Sequence, residues 1–146
     1  MVSTSLMVDT SSHPRAQLHR CVERSAYGQP EEAIRSFERS IRLSPVDPSM
    51  FSKLTGMGIA FICLGRFDEA VSVVKKALRS NPTLAMGYRC LAAALAHLGR
   101  DVEARCAATQ LLAIEPNFRI SEWMMGGGRW QPQIYIEGLR KAGLPD

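Results

Sequence analysis

The 146-residue chain is short of most features that carry chemistry. Its longest apolar stretch, roughly Met57 to Leu64, falls far below the ~20 residues of a membrane-spanning helix. No membrane association is expected. The opening MVSTSLMVDTSSHP lacks a basic start and a long apolar run, so it does not read as a secretory signal. Residues 1–14 are rich in Ser and Thr and are expected to be disordered, in a cytoplasmic protein. Cysteine is scarce, and Cys21, Cys63, Cys90 and Cys106 never form a C-x-x-C pair. Zinc sites need ligands at short spacings, so these read as reduced thiols and no metal is expected. Charge of one sign is missing too. There are 18 basic and 14 acidic residues, and Glu31, Glu32, Arg35, Glu38, Arg39 and Arg42 mix along one segment. Aromatic residues make up only 7%. A nucleic-acid surface gathers basic residues in a stripe, with aromatics for stacking, so no nucleic acid is expected as partner.

What the chain does have is a repeat. Pro48, Pro82 and Pro116 recur every 34 residues, as do Gly65 and Gly99, and Ala70 and Ala104. LGRFDEAVSVVKKALRSNP is followed by LGRDVEARCAATQLLAIEP, and YGQPEEAIRSFERSIRLSP precedes both. Each unit reads as two helices. Leu54, Met57, Phe61 and Leu64 form one apolar stripe, and Ala70, Val73, Val74 and Ala77 a second. Gly65 is placed to end the first helix in a left-handed cap. Asp68 and Glu69 open the next helix, Lys75, Lys76 and Arg79 close it, and Pro82 stops it. Helices are expected near 15–27, 30–43, 49–64, 67–80, 84–98, 101–114 and 131–142.

This text resembles the tetratricopeptide repeat, whose order is W-x2-L-G-x2-Y, A-x3-F, P. Here it runs Leu54-x2-Met57-Gly58-x2-Phe61, Ala70-x3-Val74, Pro82, then Tyr88-x2-Leu91-Ala92-x2-Leu95, Ala104-x3-Ala108, Pro116. The resemblance implies an all-α solenoid of helical hairpins, about 2.5 repeats over residues 15–117, with 118–146 as a linker and a C-terminal capping helix. The upstream copy departs from the pattern, with Arg20, Cys21 and Arg24 at its Leu, Gly and Tyr positions. Its edge, around Leu18, Val22 and Phe37, is a candidate homodimer contact. Ile134, Tyr135, Leu139 and Ala142 are expected to cover the open face of the last repeat.

Three further stretches, Ile41–Pro48, Gly65–Ala70 and Tyr135–Asp146, resemble the carboxyl-terminal repeat region of class III adenylate cyclases of rhizobial and related bacteria. In that family the chemistry belongs to a separate α/β domain with two metal-binding aspartates. No strand pattern of that kind occurs here, so the resemblance implies ancestry in signalling and not cyclase activity.

Other glimpses of chemistry dissolve on context. Gly56-x-Gly58 lies within a helix rather than after a strand. Gly126-Gly127-Gly128 is not followed by Lys-Ser/Thr and reads as a flexible link. His97 and Cys106 belong to different helices. No catalytic residue and no cofactor are expected. The expected working surface is the concave face of the first helices of each unit: Ser52, Thr55, Ile59, Ile62 and Cys63, then Met86, Arg89, Ala93, Ala96 and His97. Such a face, mostly apolar with Arg89 as its one cation, suits a partner peptide or amphipathic helix. The chain is thus expected to be a protein–protein interaction module. The alternative is a detached regulatory part of a cyclase-like signalling protein.

Overall fold

A computed structural model of the chain describes residues 29–126 and 131–146. The segment expected to be disordered, the helix expected at 15–27, the edge residues Leu18 and Val22, and Gly127 and Gly128 lie outside the described residues. Among the described residues the protein is all-α, with seven helices and no strand: α1 Pro30–Leu43, α2 Met50–Cys63, α3 Phe67–Ser80, α4 Ala85–His97, α5 Asp101–Ile114, α6 Ile120–Met125 and α7 Gln133–Lys141.

The corners follow from local chemistry. Gly65 (φ 72°) and Gly99 (φ 77°) take the left-handed conformation that costs glycine nothing. At the first corner Arg66 N–H donates to the Phe61 carbonyl (2.8 Å) and Gly65 N–H to that of Ile62 (3.0 Å). At the second, Arg100 and Gly99 donate to Leu95 and Ala96 (3.0 and 3.1 Å). This pairing satisfies carbonyls that a helix end leaves open. The 34-residue recurrence extends to side chains. Arg66 grips Glu69 with two nitrogens (2.6 Å each), and Arg100 grips Glu103 likewise (2.8 and 2.7 Å). Both pairs are solvent-exposed and contribute little energy, but they give the two corners one geometry.

Helices α2 and α3 therefore form one hairpin and α4 and α5 another, with α1 against α2 and α3 against α4. Every residue of α2 from Thr55 to Ile62 is buried, as is every residue of α4 from Cys90 to Ala96. Small residues set the spacing. A β-carbon on Gly58 would stand 2.5 Å from Val74 Cγ2 and 3.0 Å from Cys90 Sγ, so α2 meets both α3 and α4 there. In α3, Val71 is buried, whereas Arg105, its counterpart 34 residues on, is exposed. At this position α5 is polar where α3 is apolar. Phe37, expected on an open edge, is buried, with its ring in the space over Gly56.

Two features of the tail differ from the sequence expectation. The stretch read as a linker contains α6, whose Ile120 is fully buried and donates its N–H to the Pro145 carbonyl at 2.9 Å. The α7 helix, expected on the last repeat face, meets that repeat through α4 alone: it packs on α4, α2 and α6 and has no close backbone neighbour in α5. The alanine run Ala92–Ala93–Ala94 of α4 admits a close neighbour, and Gly138 of α7 takes that place. A nine-residue helix is unstable by itself in water. Burial of Ile136, Leu139 and Leu144 supplies about 1.5–3 kcal/mol for each side chain, and this holds α7 in place. Gly143 (φ 88°) ends it.

Candidate functional site

The ten residues expected to line the concave face do fall on α2 and α4, in two sets offset by 34. On α4, Arg89, Ala93, Ala96 and His97 lie at the i, i+4, i+7 and i+8 spacing of one helix face. Thr55, Ile59, Ile62, Ala93 and Ala96 are buried, whereas Ser52, Cys63, Met86, Arg89 and His97 are half-buried. The first five make a floor and the second five a rim. The floor is mostly apolar. Its one hydroxyl, that of Thr55, donates to the Phe51 carbonyl one turn back (2.8 Å), so it makes no demand on a visitor.

The space expected to receive a ligand over Ala93 and Ala96 is filled by α7. Gly138 lies against Ala93 so closely that a β-carbon there would stand 2.8 Å from both the Ala93 methyl carbon and its carbonyl oxygen. Further along, His97 Nε2 donates to the Ile134 carbonyl at 2.7 Å, since a carbonyl only accepts. The imidazole is held for this by stacking on Phe67, with ring centres 4.6 Å apart and planes 15° from parallel. Ile134 meets His97 and Gly138 meets Ala93, so α7 runs antiparallel to α4.

Arg89 occupies the far end of the same face. Its guanidinium donates to Glu115 (2.9 Å) and lies over the rings of Trp123 (5.4 Å) and Phe118 (5.8 Å). Glu115 caps α5 at its C-terminus, where a carboxylate meets the negative end of the helix dipole; Arg89 offsets this. Trp123 stands edge-on to Tyr135 (5.7 Å), and this joins the cluster to α7. Burial pushes the Tyr135 phenol well above its usual range, and the nearby Arg89 charge opposes that only in part. Although the two side chains are neighbours, Arg89 Nε and the Tyr135 hydroxyl are both buried with no hydrogen-bond partner among the described residues, as is Gln131 Oε1. The cation expected to greet a partner is thus already surrounded by the chain's own side chains.

Burial disfavours the thiolate form at Cys63 on this face and at Cys90 beside it. Burial pushes Cys63 up to about 11 and Cys90 further, so both stay protonated at neutral pH. Cys106 is exposed on α5, away from this face. Among the described residues no three His, Cys, Asp or Glu side chains gather as metal ligands would, and no helix is long and apolar enough to cross a membrane.

Sequence reasoning passed over Glu115, Phe118, Trp123, Ile134 and Gly138 as parts of this site. The available signal was Gly138, an isolated glycine inside a short amphipathic helix, which marks a close approach of backbones. Comparison of the chain with models of known protein families and with curated proteins gives no match in either case.

Proposed function

We propose that the chain is a tetratricopeptide-type binding module that holds a helix of a partner protein in the groove between α2 and α4. The observation that carries this reading is the fit of a helix in that groove: α7 lies there with its backbone against Ala93. A surface of alanine, isoleucine and threonine floors, edged by half-buried polar residues, matches the helix-in-groove mode, in which apolar anchors give affinity and the rim gives register. The 34-residue recurrence of the Gly65 and Gly99 corners supports the repeat assignment. Cytoplasmic action fits the reduced thiols.

A second reading, a regulatory part of a cyclase-type signalling protein, rests on the resemblance of residues 41–48, 65–70 and 135–146, the last of these above all. It is favoured by the place of that wording, because the same segment supplies most of α7. Under this reading the tail regulates access to the groove.

Site-specific photocrosslinking tests the proposal. A photoreactive residue at Ser52, on the groove rim, is expected to capture one defined protein, and the same group at Lys76, exposed on α3, is expected to capture none of it. Capture from Lys76 and not from Ser52 would move the binding surface to the other side of the molecule.

A further inference from the structure

We infer that α7 is a stand-in ligand, a displaceable occupant whose chemistry describes the partner helix that replaces it. The inference rests on the groove reading above and adds to it the identity of the competing segment and the pattern of the true ligand. Three observations carry it. The helices that form the groove are joined to one another without α7, since α2 to α5 pack in chain order. The contact at Ala93 accepts a residue without a side chain and nothing larger. At the Arg89 end the polar fit of the tail is poor: neither Arg89 Nε nor the Tyr135 hydroxyl finds a hydrogen bond of good geometry among the described residues, although the guanidinium lies close enough to the phenol to lower its pKa, and a poorly matched buried polar atom weakens the bound state. A helix that repeats the apolar contacts and brings an acceptor to Arg89 Nε therefore fits better than the tail does.

The ligand so described is an amphipathic helix with glycine at the point of closest approach. It carries large apolar residues at the positions of Tyr135 and Leu139, three before and one after that glycine. It presents a backbone carbonyl to His97 four residues before the glycine, as Ile134 does. A carboxylate or amide side chain near the Tyr135 position supplies the acceptor that Arg89 Nε lacks. Opening the groove breaks only contacts to α7 and its junction with α6, so it is a local event and not global unfolding.

Hydrogen exchange on the full chain is the first measurement. Amides of residues 138–142 are expected to exchange at least about tenfold faster than those of residues 92–96 in α4; equal protection in both segments would overturn the inference. The second uses a labelled peptide of residues 131–146, titrated into the full chain and into its Gly138→Val variant. The added side chain ejects the tethered tail, so the peptide is expected to bind the variant at least about tenfold more tightly than the unaltered chain. Equal binding by both, or binding by neither, would overturn it. Where Gly138→Val fails to fold, the exchange measurement decides alone. A dimer of the unaltered chain that the peptide dissolves would assign the groove to a second copy and overturn the partner-helix description. A protein crosslinked from Ser52 yet indifferent to excess peptide would remove this inference and leave the groove reading standing.

Discussion

Gly138 of α7 and Ala93 of α4 meet backbone to backbone, close enough that a single methyl group on Gly138 would lie 2.9 Å from the Ala93 Cα. At an exposed helix interior, glycine to alanine stabilises by about 1 kcal/mol. Here overpacking opposes it, at about 1–3 kcal/mol. Gly138→Ala is expected to destabilise the chain or loosen the tail, read by urea denaturation and by the near-ultraviolet circular dichroism of Trp123 and Tyr135. A more stable variant with an unchanged spectrum would show that the two helices have room to spare.

Arg89 joins the groove to the tail through Glu115, Phe118 and Trp123, with its side chain only 13% exposed. Removing a cation stacked on aromatic rings costs about 0.5–2 kcal/mol. Arg89→Ala is expected to lower stability by that order, and Arg89→Lys to recover little, because an ammonium lacks the planar stacking face. Chemical denaturation of both variants, with Glu115→Ala to complete a double-mutant cycle, separates the ion pair from the stacking.

Ala70 is fully buried and Ser72, two residues on, is exposed. Ala70→Leu is expected to cost about 1–3 kcal/mol through overpacking of α3. Ser72→Leu is expected to cost under about 0.5 kcal/mol. Thermal melts that give equal losses would contradict the register assigned to α3.

Acid should act through Asp47. Its Oδ2 takes the Lys53 ammonium (2.7 Å), and its Oδ1 takes the Ser49 N–H (2.8 Å) and hydroxyl (2.7 Å). The Lys53 bond first, then those from Ser49, hold the carboxyl well below the usual carboxylate range. A carboxyl with a lower pKa folded than unfolded stabilises the fold above its unfolded pKa of about 4 and loses that contribution as pH falls through the folded value. The difference in melting temperature between the unaltered chain and Asp47→Ala should therefore be widest near neutral pH and shrink below about pH 4. A difference that stays constant from pH 7 to pH 2 would assign the effect of Asp47 to something other than its charge.

What could be read from the sequence was local in origin. The corners at Gly65 and Gly99 are decided within six residues by a left-handed glycine and two backbone bonds, so residue order alone carries them. The stripes of α3, the ends of α1 and α3, and the start of α5 follow from apolar spacing and terminal charges in the same way. Where α7 docks was legible only as far as the last repeat. Periodicity identifies its apolar face but does not choose between α5 and the alanine run of α4. The six residues of α6 are too few to show a period, and the bond from Ile120 to Pro145 comes from distant sequence. Arg89 was expected as the cation of this face, but its neighbours Glu115, Phe118 and Trp123 come from the end of a repeat and a segment that read as linker.

The order of these elements along the chain has a consequence during synthesis. The walls of the groove, α2 and α4, precede α7 in the chain, and Ala93 is made 45 residues before Gly138. Contacts between sequence neighbours form early, whereas distant ones wait for the intervening loop to close, and elements nearer the amino terminus fold first on the ribosome. The face of α4 that α7 covers is therefore made before its cover. On the groove reading proposed above, a partner helix present at the ribosome would compete with no tether, whereas one arriving later would have to displace a helix already bound.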